Sequence, residues 1–436
     1  MRRGISAVAM AAAIVLGVTA CGGGSGSGSG DKSDGGGSAK DPASVAGTIT
    51  YWDTSDAKNE APEYQALIKD FEAKYPKIKV NYQNVDFTTV EQKFKAAAQS
   101  GKGAPDVIRT DVGLIPEYAS LHYIAPLDGT AAMSETQDFL PGPMNTTKYD
   151  GKTYGVPSVT DTLGLLYNKD IFAKAGITKP PATWDELIAD SATIKQKVPG
   201  VAGTYVNPDS YFLFPLLFGE GADLADPAAK KVTINSPEAV KAVTEAKKIY
   251  DTSSLKVDFA SAYDNMQTSF KTGKVAMLVQ GPWSVSDDLT GSAFKGKESN
   301  LGYAPVPAGS SGKALAPTGG HDLAVYQGSK NLDAAYLFTQ FMTSSSSQQQ
   351  IALKNGTLPT RASAYTPEVL KDPKIAGFKP IMDTARPRVA LPQVGSLFTP
   401  LQQEYIKILQ GQTSVQAGLD AAAKEFGKLL PGYTVQ

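Results

Sequence analysis

The side chains whose types could do chemistry in this chain are carboxylates, arginines and aromatic rings. Its 436 residues hold two histidines, His122 and His321, and a single cysteine, Cys21. Two histidines and no cysteine pair do not make a zinc cluster. Gly309-Ser310-Ser311-Gly312 has neither the glycine pattern nor the preceding strand of a nucleophile elbow. Gly101-Lys102-Gly103 lacks the spacing of a phosphate loop. What remains is hydrogen-bonding chemistry. Gly319-Gly320-His321-Asp322 combines glycines, which let backbone approach a ligand, with two side chains able to reach its polar groups. Arg386 and Arg388 flank Pro387, and an arginine there offers bidentate hydrogen bonds. Asp53, Asp56 and Lys58 stand in the loop after the first predicted strand. Each has a structural alternative: a lone histidine as hydrogen-bonding partner, an aspartate as helix cap, an arginine in a surface ion pair. A carboxylate pair could also run acid–base chemistry, which their separation in space decides.

Those residues need a framework, and the apolar periodicity supplies one. Residues 47–53 read as a strand. Pro62 opens a helix with Tyr64, Leu67, Ile68, Phe71 and Tyr75 at helical spacing, and Pro76 stops it. A half-buried strand over 78–85, a helix over 88–99 and a short strand over 106–109 follow. Strand–helix–strand–helix–strand predicts a parallel sheet covered by helices. Ligands of such sheets bind beyond the carboxyl ends of the strands, where Asp53 and Asp111 fall. A second α/β region follows. Thr183-Trp184-Asp185-Glu186 is a capping box, and Ser236-Pro237-Glu238 starts a helix with serine as cap and proline first. Residues 274–280 read as a strand turned into a helix by Gly281-Pro282-Trp283-Ser284. The Pro/Gly-rich passage 305–320 reads as a crossover. Helices are predicted over 332–342 and 413–426, and the Ser/Gln stretch 344–350 as a solvated helix end. There is no internal repeat.

Composition bounds the setting. Arg2 and Arg3, an apolar run over 5–18 and Val18-Thr19-Ala20-Cys21 form an export signal. The run is too short to span a bilayer, which takes about 20 apolar residues. The four residues ending in Cys21 resemble a bacterial lipobox, so 1–20 is read as a lipoprotein signal peptide and Cys21 as its lipidated cysteine. Residues 21–46, rich in Gly, Ser and Asp, form a flexible tether with a typical span of roughly 25–30 Å. About 390 residues remain, enough for two domains. Removing the signal takes Lys+Arg from 42 to 40 against 43 Asp+Glu, a net charge of about −3. No basic patch points to nucleic acid, and no second apolar stretch points to a spanning helix.

Tyr149-Asp150-Gly151-Lys152-Thr153-Tyr154-Gly155-Val156-Pro157, then Gly164-Leu165-Leu166-Tyr167-Asn168-Lys169-Asp170, resembles the signature of extracellular solute-binding proteins of sugar ABC transporters, the maltose-binding class. The match continues through Pro181-Ala182-Thr183-Trp184-Asp185-Glu186-Leu187 and Phe270-Lys271-Thr272-Gly273-Lys274-Val275-Ala276-Met277 to Gly281-Pro282-Trp283. It ends at Leu391-Pro392-Gln393-Val394. The segments fall in family order over nearly all of 47–436. The resemblance implies an α/β, periplasmic-binding-protein-like fold: two α/β lobes around a central cleft, joined by crossover hinge strands and closing by hinge motion. It implies a first lobe over 47–158 and 312–372, and a second over 163–306 and 378–436.

A sugar needs carboxylates, amides or guanidiniums for its hydroxyls and flat rings for its faces. By family position the resemblance implies ligand contacts at Asp111, Asp161, Asp209, Tyr211, Trp283 and Phe398. His321, Arg388 and Asp56 are added from this chain's own pattern. Where the family's maltodextrin binders have Trp-Ala before the matching aspartate, this chain has Arg109-Thr110, and Phe398 replaces a larger ring. Fewer platforms imply a short ligand. The resulting expectation is a lipid-anchored, monomeric protein outside the cell. It takes a maltose-, maltodextrin- or trehalose-like α-glucoside to membrane permease subunits, with no catalytic residue, metal or cofactor. Its rivals are a lipoprotein for another small solute and a surface enzyme acting on glycosides.

Overall fold

The computed structural model describes residues 41–435; the signal, Cys21 and the tether up to residue 40 lie outside them. Within the tether's last residues, Pro42–Ser44 makes a 3-10 turn and Val45 packs into the core. β1 (Gly47–Asp53), α1 (Ala61–Lys74), β2 (Ile78–Asn84), α2 (Phe87–Ser100) and β3 (Val107–Asp111) follow in the predicted order. β1 pairs in parallel with both β2 and β3. The sheet is completed by chain that returns later. Strand Gly319–Val325 runs antiparallel to β3 and to Val156–Asp161, and Leu358–Pro359 forms the far edge. Alternation along β1 sends Ile49 and Tyr51 to a core with Tyr64, Phe71 and Phe338, and Trp52 to one with Phe94, Ile108 and Tyr118.

The second lobe has a three-stranded antiparallel sheet, with Gly164–Asn168 between Met277–Gln280 and Leu301–Ala304. Strand pairing stops short of residue 274 because Lys274–Ala276 instead bonds to the backbone of Ala202. Trp184–Lys197 and Pro237–Ser253 start at the predicted Thr183 and Ser236 caps. Phe214, Phe218, Val243, Leu401, Tyr405 and Phe426 share one core. Phe270 and Leu278 share another with Ile375, Phe378 and Ile381.

Three segments meet where the chain passes between the lobes. Ala316–Pro317 pairs in parallel with Ala385–Arg386. Thr162 Oγ1 donates to the Pro317 carbonyl at 2.9 Å, and the Thr318 N–H donates to the Arg386 carbonyl at 2.8 Å. Leu163, Val306 and Ala316 form a small core there, with Tyr211 and Trp283 packed on it. The hinge therefore adjoins the aromatic wall of the cleft.

One expectation is corrected. Residues 344–350 are not a solvated helix end: Ser344 caps a new helix, Ser345–Asn355, and Gln348 is buried within it. Gln348 donates to the Pro157 and Thr343 carbonyls and Thr360 Oγ1, and accepts from the Thr360 and Arg361 N–H groups. A buried amide is tolerated when its partners are this complete. It ties strand Val156–Asp161 to the sheet edge.

Candidate ligand-binding cleft

The carboxyl end of β3 and the start of strand Gly319–Val325 place a row of polar side chains on one sheet face. His321 is the register partner of Asp111, and Gly319 that of Asp161. Paired residues project to the same side. Gly320 between them has φ 123°, a conformation that favours glycine. Gly319 is required for space: a Cβ there would stand 2.1 Å from Asp161 Oδ1 and 2.6 Å from Tyr211 Oη. The Asp161 carboxylate and the Tyr211 phenol thus converge over one bare backbone position. Asp111 accepts from the Gly113 N–H at 2.7 Å and from Arg388 Nη2 at 2.7 Å. Arg388 follows the hinge strand, so this ion pair joins the two lobes beside the site.

The facing wall is aromatic. Asp209 caps the 3-10 turn Ser210–Leu213 by accepting from the Tyr211 N–H at 2.8 Å, which sets the tyrosine. Trp283 opens the turn Pro282–Ser284, and its ring centroid lies 6.4 Å from that of Tyr211. Trp283 Nε1 donates to Tyr263 Oη at 3.0 Å. The Arg388 guanidinium sits 5.7 Å from the Tyr211 ring and 6.0 Å from Phe398. The wall therefore runs Phe398, Tyr211, Trp283, Tyr263. Hydrogen-bonding groups opposite a wall of aromatic rings are what a polyhydroxylated ring system requires.

The description "bacterial extracellular solute-binding protein" fits residues 57–349 by family model. The chain belongs to that family. The GacH receptor of Streptomyces glaucescens, solved unliganded and with acarbose and an acarbose homolog, is 43% identical; the match covers 89% of this chain and all of that one, with a TM-score of 0.85. The diacetylchitobiose-binding protein DasA of Streptomyces coelicolor is 29% identical over 366 residues, 83% of each chain. A maltooligosaccharide ABC transporter solute-binding lipoprotein of Streptococcus pneumoniae is 26% identical over 374 residues, 82% of this chain and 85% of that one. This solute-binding protein serves a carbohydrate ABC transporter from outside the cytoplasm, and it binds its solute without transforming it.

Of the residues named from sequence, Asp111, Asp161, Tyr211, Trp283, His321, Arg388 and Phe398 are brought together here. Phe398 divides its ring between the cleft and the core, 5.7 Å from Phe214. Asp56 and Asp209 do backbone work instead. Asp56 is exposed and accepts from the Lys58 and Asn59 N–H groups. Sequence reading missed Tyr263, Glu60 and Arg109. Arg109 is buried, stacks 5.4 Å from the Tyr64 ring, and donates to Thr54 Oγ1 at 3.1 Å, tying β3 to the first loop. Glu60 is buried on that loop, and its Oε2 accepts from the Asp56 N–H at 3.0 Å. Nothing in local periodicity marks Tyr263, because its role rests on a bond to a ring twenty positions later.

Asp161 is buried, and its carboxylate has no hydrogen-bond partner among the described residues. Burial pushes it up to about 7, the Asp111 charge adds to the rise, and Arg388 and Arg109 oppose it. The unfolded chain protonates near about 4. The group therefore contributes stability that is fully present below about 4 and lost as pH rises through about 7. Melting curves of the ligand-free protein should fall more steeply from pH 4 to 7 than those of Asp161→Asn. Parallel curves would remove Asp161 from the titration.

Proposed function

We propose that this solute-binding protein captures a maltose-, maltodextrin- or trehalose-like α-glucoside and hands it to its permease as a lipid-anchored monomer, held by acylated Cys21. The lobes are taken as 47–158 with 312–372 and 163–306 with 378–436. The reading is carried by the meeting of Asp161 and Tyr211 over Gly319, beside Trp283. An unpartnered carboxylate accepts two vicinal hydroxyls, and a hydrogen bond to a charged group is worth about 1.5–3 kcal/mol. The tryptophan covers a sugar face and keeps water from those bonds. The Gly/Ser tether keeps the receptor at high effective concentration near its permease, and more than one acyl chain gives stable anchoring. The pneumococcal lipoprotein relative supports the anchor.

One observation favours a second ligand within the same class. A carboxylate without an internal partner also suits a basic nitrogen, and the GacH receptor was solved with acarbose, a nitrogen-bearing pseudo-oligosaccharide. Thermal shift and calorimetry with maltose, maltotriose, trehalose and acarbose separate the two, since a ligand that binds only the folded state raises the melting temperature. Acarbose outranking every plain glucoside selects the second reading. A flat response to all four rejects both.

A further inference from the structure

On the first-lobe wall lies a pair of side chains that the glucoside reading leaves unused. Phe87, the first residue of α2, is 53% exposed although it is a large apolar ring. Its ring meets that of His321 edge to face, with centroids 5.8 Å apart. Both ring nitrogens of His321 are buried, and among the described residues neither has a hydrogen-bond partner. An imidazole with two hidden, unsatisfied nitrogens is costly to keep. Its backbone partner in the sheet is Asp111, so it stands in the polar row that faces the cleft.

Resting on the sugar-binding reading, we propose that Phe87 and His321 form a covered subsite. The ligand displaces the Phe87 ring, and the imidazole then exchanges hydrogen bonds with a sugar hydroxyl. A neutral imidazole holds one donor and one acceptor, which matches a hydroxyl that both gives and takes a hydrogen bond. Burial holds His321 well below its ordinary range, and the Arg109 and Arg388 charges add to this. Arg388 is paired with Asp111, and Arg109 donates to Thr54 Oγ1 and lies against the Tyr64 ring. The subsite therefore reads neutral hydroxyls through the imidazole. Phe87 keeps bulk water off the imidazole until such a ligand arrives.

Only two histidines exist in the chain, so a histidine-labelled sample gives two imidazole signal sets in long-range proton–nitrogen correlation spectra. His122 is exposed on a different element and serves as the internal reference, and His321→Gln assigns the pair. Maltose, maltotriose, trehalose and acarbose are the probes. With the probe that raises the melting temperature, the His321 nitrogens should shift as hydrogen-bonded neutral imidazole while His122 stays put. His321→Ala should weaken that probe about tenfold, the worth of one neutral hydrogen bond. Phe87→Ala should return His321 toward ordinary titration in the free protein and leave its bound-state signals unchanged. A melting shift with an unmoved His321 overturns the subsite and spares the sugar reading. Protonation of His321 on binding overturns the choice of neutral hydroxyls. If no probe raises the melting temperature, the sugar reading fails and takes the subsite with it.

Discussion

Replacing Trp283 with alanine should lower sugar affinity by about 2 kcal/mol or more, the loss expected at a buried aromatic anchor. That is roughly a thirtyfold rise in Kd. The ring is half-buried between Tyr211 and Tyr263, so truncation removes a stacking face and frees the Tyr263 hydroxyl from its donor. It also opens the wall to water, which weakens the hydrogen bonds opposite. The effect should fall on binding more than on folding, because Trp283 only borders the hinge core of Leu163, Val306 and Ala316. Calorimetry with the best-binding sugar, alongside melting of the free protein, checks both halves. Unchanged affinity with a large drop in melting temperature would make Trp283 a packing residue.

Gly319→Ala is the second large effect, and it needs only one methyl group. The added carbon would sit 2.1 Å from Asp161 Oδ1 and 2.6 Å from Tyr211 Oη, so both groups must leave the point where they converge. Gly319 does not need a left-handed backbone, unlike Gly320. The cost should therefore appear at the cleft. Losing both groups' hydrogen bonds at about 1–3 kcal/mol each predicts a fall in affinity on the order of a hundredfold. The melting temperature of the free protein should change little. Because Asp161 is displaced from its neighbours, the pH dependence of stability should flatten as well. Binding within a fewfold of the parent would mean that the ligand does not use this convergence.

These effects show where sequence reading ends. Trp283 follows a Gly-Pro pair at a strand-to-helix turn, and it was named through the family resemblance that Gly281-Pro282-Trp283 carries. Tyr263 was not, because a tyrosine near the start of a helix looks the same whether it faces solvent or a tryptophan. Gln348 misled for a related reason. A polar run of Ser and Gln has the composition of a surface, and only strands distant in sequence provide the partners that allow its burial. Asp209 and Asp56 show the limit from the other side: each turns one carboxylate oxygen, Oδ1, to nearby backbone N–H groups.

The sequence alone determined the α/β alternation, the caps at Thr183 and Ser236, and the α/β character of both halves of the chain. Each depends on contacts within a few residues, where apolar period and cap chemistry act directly. Family segments carried by the same local patterns pointed to a solute-binding protein. The tertiary structure decided the site itself. Asp111 meets Arg388, Asp161 meets Gly319 and Tyr211, and Trp283 meets Tyr263 across separations that no local pattern encodes. These pairs bridge 20 to 277 residues of sequence and exist only once the chain is folded. Among the described residues, the Asp161 carboxylate and the His321 imidazole are left there without a hydrogen-bond partner.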